Sequence, residues 1–142
     1  MTLAVAPGER VALVGPSGVG KTTVAATAMG LIPPLSGTVR RGGRVGYLAQ
    51  DAHIFATTVA ENVRIGNRDA DDADVRKALD RAGLPLPLDR VVGEHAGTLS
   101  GGEARRLALA RLFVGDFQAV VLDEPSEHLD ALTAEALLDD LF

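Results

Sequence analysis

A glycine-rich segment near the amino terminus has the residue types and spacing of a phosphate-binding loop. Residues 15–22 read GPSGVGKT and match the pattern G-x-x-x-x-G-K-[ST]. Glycines let the backbone wrap closely around a phosphate, and a helix beginning there adds its positive end. The ammonium of Lys21 can reach the β- and γ-phosphates of a nucleotide, and the Thr22 hydroxyl can bind Mg²⁺. The residues of this candidate site are Gly15, Pro16, Ser17, Gly18, Val19, Gly20, Lys21, Thr22 and Thr23.

A pair of carboxylates follows an apolar segment much later in the chain. Residues 119–122 predict a buried strand, and Asp123 and Glu124 come directly after it. At the carboxyl end of a strand beside a phosphate loop, Asp123 can hold Mg²⁺ and Glu124 can polarise an attacking water molecule. An acidic turn that ends at Pro125 explains this motif equally well when it is taken alone.

Residues 99–103 read LSGGE and allow two interpretations. Ser100 and Glu103 have the spacing of a capping box at the start of a helix. A capping box does not need Gly101 and Gly102, which lower helix propensity and expose backbone N–H groups to an anion. The residues alone therefore leave both a plain helix cap and an anion-binding segment open.

Strands and helices must position these motifs, and the first part of the chain predicts a β–α pattern. The apolar run 11–14 predicts a buried strand before the glycine-rich loop. Residues 22–29 predict a helix that ends at Gly30. Two short strands are expected at residues 38–40 and 45–49.

The middle of the chain predicts helices. Thr58 to Glu61 fits a capping box, and apolar residues within 75–82 recur at helical spacing before Gly83. A further helix is expected from Ser100 through Phe113, and a last amphipathic helix at residues 134–141. The order of elements predicts an α/β fold with a helical block inside it.

Composition excludes several classes of protein. The 142 residues carry 14 Lys and Arg against 19 Asp and Glu, and the net charge of −5 argues against a nucleic-acid partner. We interpret the pairs Arg40–Arg41 and Arg105–Arg106 as solvated. No apolar run reaches the length of about 18 residues that a membrane span needs, and there is no cysteine.

Taken together, the motifs resemble the nucleotide-binding domain of ATP-binding-cassette (ABC) transporters, and they follow the order of that family. Residues 15–22 resemble the Walker A loop, and Gln50 resembles the Q-loop glutamine. Residues 99–103 resemble the signature motif, although Glu103 stands where glutamine is commoner. Residues 120–124 resemble Walker B with its catalytic glutamate.

Three further stretches are similar to exporters. Residues 51–63 and 92–97 resemble segments of exporters with fused membrane and nucleotide-binding domains, with Glu94 at the acidic position of a coupling loop. Residues 126–130 resemble the D-loop, which includes Asp130. The run Glu124–Asp130 looks most like bacterial thiol (cysteine/glutathione) exporters needed for cytochrome bd assembly.

The resemblance implies a P-loop NTPase with a RecA-like additional-strand core and an inserted α-helical subdomain. Residues 1–56 and 115–142 would belong to the core, and residues 57–114 would form the subdomain. The strand with the switch histidine and the aromatic residue that stacks on adenine do not occur in these residues. We therefore expect a chain truncated at both ends, poorly stable in isolation and without steady ATPase turnover.

The resemblance also implies a mechanism in which two such domains, identical or different, enclose two ATP molecules with Mg²⁺. The catalytic residues would be Glu124, Gln50 and Lys21, and the Mg²⁺ ligands Thr22, Gln50 and Asp123. The signature residues Leu99, Ser100, Gly101, Gly102 and Glu103 would contact ATP bound by the partner, and Asp130 would relay between sites. Hydrolysis would drive transport through a transmembrane domain at the cytoplasmic face of the plasma membrane.

Two alternative functions remain. The chain could be a non-catalytic nucleotide-binding fragment, which would bind ATP without hydrolysing it. It could also be a soluble cassette ATPase of DNA repair or translation, but Glu94 and the exporter-like stretches argue against that class.

Overall fold

The structure is a computed structural model that describes residues 2–93 and 99–123. Contacts divide the chain into two compact units, one within Met1–Arg41 and one within Gly42–Leu141. Glu94, Glu124, Asp130 and the helix expected at 134–141 lie outside the described residues. No helix in the described part of the chain is long and apolar enough to cross a membrane.

The first unit contains helix α1, Lys21–Met29, which confirms the helix expected at 22–29 and begins one residue earlier. Gly20 and Gly30 flank it, both in the left-handed conformation. The N–H of Gly30 donates to Thr27 O, and Leu31 N donates to Ala26 O, so these bonds close the last turn. The expected stop at Gly30 is therefore confirmed.

The two strands expected in the first unit do not form. Residues 11–14 and 38–40 have no strand conformation, and Val14 is 88% exposed. A strand needs a neighbour for its hydrogen bonds and a cover for its side chains. None of residues 2–41 is buried, so nothing in the described part of this unit covers the run 11–14.

The second unit contains three helices and four short strands among its described residues. In chain order these are β1 (Val45–Leu48), β2 (Thr57–Thr58), α2 (Val59–Arg64), α3 (Asp72–Arg81), β3 (Val91–Val92), α4 (Gly101–Val114) and β4 (Ala119–Leu122). Strands β1 and β4 pair in parallel, with Val45 opposite Ala119 and Leu48 opposite Leu122. The pairing confirms the strands expected at 45–49 and 119–122.

The helices of the second unit begin at side-chain caps. Thr58 accepts a hydrogen bond from Glu61 N at the start of α2, and Asp71 accepts from Ala73 N and Asp74 N at the start of α3. After α3, Gly83 has a φ of 63°, in the region that favours glycine. The helix expected from the apolar spacing within residues 75–82 is thus confirmed.

The core of the second unit lies between α2, α3 and α4, and Leu48 of β1 joins it. Its largest fully buried apolar side chains are Leu48, Leu79, Leu107, Leu109, Val59, Val63, Val75 and Val92. Arg105 is only 7% exposed, so its interpretation as one of a solvated pair is wrong. It lies on the face of α4 that also carries Leu109 and Leu112, four and seven residues further on, and this face packs into the core.

Candidate nucleotide-binding site

The glycine-rich loop folds back on itself before α1. Nζ of Lys21 donates hydrogen bonds to Gly15 O at 3.0 Å and to Pro16 O at 3.2 Å. Gly18 and Gly20 have φ values of 79° and 103°, which side chains with a Cβ rarely adopt. The lysine ammonium thus lies over the loop that immediately precedes its own helix.

The start of α1 has the features that a phosphate group requires. No side chain caps this end of the helix, and its first turn contains no acidic residue. A Cβ added to Gly18 or Gly20 would meet no atom within 4 Å, so the backbone is open at both positions. Backbone amides and the Lys21 ammonium can donate hydrogen bonds to the phosphates of a nucleoside triphosphate. The Thr22 hydroxyl oxygen can coordinate the accompanying Mg²⁺.

In the second unit, the structure brings Gln50 and Asp123 to the same end of one sheet. Each follows its strand, and because β1 and β4 are parallel, their carboxyl ends lie side by side. Asp123 N extends the ladder by donating to Leu48 O at 2.9 Å. The sequence had placed Asp123 at such a strand end, and this part of the prediction is confirmed.

The carboxylate of Asp123 has a neighbour that the sequence did not reveal. The hydroxyl of Tyr47 donates to Oδ2 of Asp123 at 3.3 Å, across 76 residues of sequence. Burial, followed by the charge of Asp123 and this hydrogen bond, raises the pKa of Tyr47. The phenol therefore stays protonated at neutral pH and remains a donor to the carboxylate.

Residues 99–103 form the capping box at the start of α4. Ser100 Oγ accepts from Glu103 N at 3.2 Å, and Oε2 of Glu103 accepts from Ser100 N and Ser100 Oγ, each at 2.8 Å. The backbone bond from Ser100, and then its hydroxyl bond, lower the pKa of Glu103. Leu99 packs against the core, and Gly101 is exposed with open space around it. The cap interpretation is confirmed, and an anion at this helix start stays a prediction.

The two exporter-like stretches meet in space. Strand β2 pairs with β3 in antiparallel fashion, with Thr57 opposite Val92 and Thr58 opposite Val91. A Cβ on Gly93 would lie 2.6 Å from Cα of Ala56, so only glycine allows this approach. The stretch 51–63 is therefore held directly against the residues that precede Glu94.

A sequence profile described as ABC transporter matches residues 1–127. The chain belongs to the ABC transporter family. Among curated relatives, it is 39% identical to the mitochondrial potassium channel ATP-binding subunit of Rattus norvegicus, over 92% of this chain and 21% of that protein. It is 36% identical to the glutathione/L-cysteine transport system ATP-binding/permease protein CydD of Bacillus subtilis, over 95% of this chain and 27% of that protein.

A solved structure supports the same assignment of the ABC fold. The chain matches a bacterial Atm1-family ABC exporter with ATP bound at a TM-score of 0.83 and 32% identity, over 96% of this chain and 27% of that one. The fold is thus the α/β P-loop fold of this family, which implies ATP binding. The chain spans about a fifth to a quarter of the length of these relatives.

Within this ABC domain, the sequence motifs did not reveal the contacts of three residues: Tyr47, Arg105 and Arg111. Their hydrogen bonds run between segments distant in sequence, which no local spacing reveals. Only the burial of Arg105 carried a local signal, because the residue falls at helical spacing with Leu109 and Leu112, whereas its hydrogen-bond partners carried none.

Proposed function

We propose that the chain is the nucleotide-binding domain of an ABC exporter that binds ATP, hydrolyses it and so drives transport across a membrane. The observation that carries the proposal is the Lys21 ammonium folded over a glycine-rich loop at an uncapped helix start. It gains support from the 32% identity to an exporter with ATP bound. By analogy with the family, the domain would act at the cytoplasmic face of the plasma membrane.

In this proposal, different residues bind the phosphates, hold Mg²⁺ and activate the attacking water. Lys21 and the backbone N–H groups of residues 15 and 17–23 bind the phosphates. Thr22, Gln50 and Asp123 would hold Mg²⁺, which when bound supplies positive charge next to the transferred phosphoryl group. Glu124 accepts the proton of the attacking water, and Gln50 orients that water.

A second domain would complete each ATP site. Ser100 and Gly102, with the rest of residues 99–103, would contact ATP held by the partner, and Asp130 would relay between the sites. The first residues of α4 are exposed or half-buried, as such a contact requires. Because each ATP site needs this second signature segment, we expect residues 1–142 alone to hydrolyse ATP slowly.

The proposal extends to the layout of the domain. Residues 1–56 and 115–142 would form the RecA-like core, and residues 57–114 the helical subdomain, with Glu94 at the acidic position of a coupling loop. A transmembrane domain would be the second partner. Two relatives of the chain carry "ATP-binding/permease protein" in their names, one for β-(1→2)glucan export and one for glutathione and L-cysteine.

Replacement of the proposed general base tests this function. In the complete gene product that contains residues 1–142, Glu124→Gln should lower the ATP hydrolysis rate by about 100-fold or more, while ATP affinity changes less than about twofold. Asp116→Asn, at an exposed site, is the matched control and should hydrolyse ATP at the wild-type rate.

The same assay tests the non-catalytic alternative and the choice of general base. Wild-type protein that binds ATP but does not hydrolyse it, even with its partner domain, would point to the non-catalytic function. Wild-type hydrolysis that Glu124→Gln leaves unchanged would show that the general base is another residue.

A further inference from the structure

A buried arginine links three segments of the proposed ATP-hydrolysing site. Nη1 of Arg105 donates to Gln50 O at 3.1 Å, and Nη2 of the same guanidinium donates to Asp123 O at 3.3 Å. Arg105 belongs to α4, whose first residues form the signature segment. One side chain thus touches the main chain of both residues that follow the paired strands β1 and β4.

We propose that Arg105 is a positioning residue that fixes Gln50 and Asp123 relative to the signature end of α4. The proposal rests on the proposed function, since it assigns Gln50 and Asp123 to the hydrolysis step. Both of these hydrogen bonds end on main-chain carbonyl oxygens, so they act on the position of the backbone at Gln50 and Asp123. It acts on hydrolysis through the placement of these two residues and does not itself touch the substrate.

The geometry of the guanidinium suits this role. Its planar fork directs separate N–H groups at two acceptors in a fixed geometry, whereas the ammonium of a lysine is a compact charge on a flexible stem. Arg105 is only 7% exposed, and the packing around it limits its motion. A displacement of either carbonyl therefore has to be accompanied by a shift of α4 or by the loss of a hydrogen bond.

Arg105 lies close to the signature segment along helix α4. The residue lies five positions after Ser100, which is about 7.5 Å along a helix axis. The capping box of Ser100 and Glu103 fixes the first turn of α4, and Arg105 lies in the turn that follows. A partner domain that displaces the signature segment would consequently displace Gln50 and Asp123 as well.

Steady-state ATP hydrolysis by the complete gene product tests the proposal with two variants. Arg105→Met should lower kcat by about tenfold or more and leave KM for ATP within about twofold, because the phosphate-binding loop keeps all its donors. Arg105→Lys, which retains the charge but lacks the planar fork, should lie between the wild type and Arg105→Met. Arg76→Met, on the exposed face of α3, is the matched control.

Hydrogen exchange supplies a readout that does not depend on turnover. Amides of residues 49–51 and of Asp123 should exchange faster in both Arg105 variants, while amides of α3 should exchange as in the wild type. Faster exchange throughout α3 as well would indicate general destabilisation and would overturn a positioning role.

The kinetic outcomes also separate the two proposals. If the wild type hydrolyses ATP and folded Arg105→Lys and Arg105→Met keep its kcat, the positioning role is wrong and the proposed function stands. A rise in KM at unchanged kcat contradicts the role as well. If Arg105→Met does not fold, the kcat of Arg105→Lys decides. A wild type without hydrolysis overturns both proposals.

Discussion

Nη2 of Arg111 lies 2.8 Å from Oδ1 of Asn62, and this hydrogen bond joins helix α4 to helix α2 across 49 residues of sequence. Asn62 is fully buried, and its amide also bonds to Phe55 N, Phe55 O and Thr58 O. Arg111 donates in addition to Asn62 O and to His53 O, and its burial lowers its pKa. The pair therefore holds the exporter-like stretch 51–63 against the helix of the signature segment.

Loss of the Asn62 side chain should destabilise the second unit strongly. Asn62→Ala leaves Phe55 N–H and a nitrogen of Arg111 without their acceptor, and unsatisfied buried polar groups cost about 1–3 kcal/mol each. We expect the free energy of unfolding to fall by about 2–4 kcal/mol, as measured by urea denaturation.

Asn67→Ala is the control for that measurement. Asn67 is half-buried, and its side-chain oxygen accepts a hydrogen bond from Asp69 N at 3.2 Å, so loss of this side chain should cost about 1 kcal/mol or less. Equal losses of unfolding free energy in the two variants would show that the network around Asn62 stabilises the fold no more than the side-chain hydrogen bond of Asn67.

A close backbone contact at Gly66 predicts a second effect on stability. A Cβ at Gly66 would lie 1.8 Å from Arg111 O, so Gly66→Ala forces α4 away from the end of α2. Overpacking of this kind costs about 1–3 kcal/mol. At Gly42 a Cβ meets nothing within 4 Å and φ lies outside the left-handed region, so Gly42→Ala should have little effect. Thermal unfolding of both variants checks the difference, and equal midpoints would contradict it.

The capping box predicts a dependence of stability on pH. Because hydrogen bonds from Ser100 lower the pKa of Glu103 in the folded state, the carboxylate stabilises the fold above its unfolded value of 4.5. That contribution is lost as the pH falls from 4.5 through the lower, folded-state pKa. The difference in unfolding free energy between the wild type and Glu103→Gln should therefore shrink as the pH falls below about 4.5.

Urea denaturation over this pH range measures the effect of Glu103. The same comparison in a Ser100→Ala background should give a smaller change with pH, because only the backbone N–H of residue 100 still bonds to the carboxylate. A difference between wild type and Glu103→Gln that stays constant with pH would refute the account of this cap.

The sequence predicted those features that depend on local spacing. The helices around residues 22–29, 75–82 and 100–113 formed as expected, since caps, glycine stops and apolar periodicity all lie within a few residues of one another. The strand at 119–122 was equally clear from its apolar run. The ABC motifs were recognisable for the same reason, because each is a short continuous segment.

What depends on distant partners could not be predicted. The run 11–14 is as apolar as 119–122, yet only the latter pairs with a neighbouring strand, at 45–48. An apolar run tends to be buried, but it forms a strand only where a neighbouring strand and covering side chains are present. The contacts of Arg105 with Gln50 and of Arg111 with Asn62 depend on the approach of α4 to segments about 50 residues away, which no spacing in the sequence predicts.

Equilibrium binding of ATP tests the central claim, that residues 15–23 form the nucleotide site, most directly. The dissociation constant for ATP should rise by about tenfold or more in Lys21→Met, because the substitution removes the ammonium that lies over the loop. Lys77→Met, at an exposed position of α3, should bind ATP like the wild type. Equal affinity of the wild type and both variants for ATP would contradict the account.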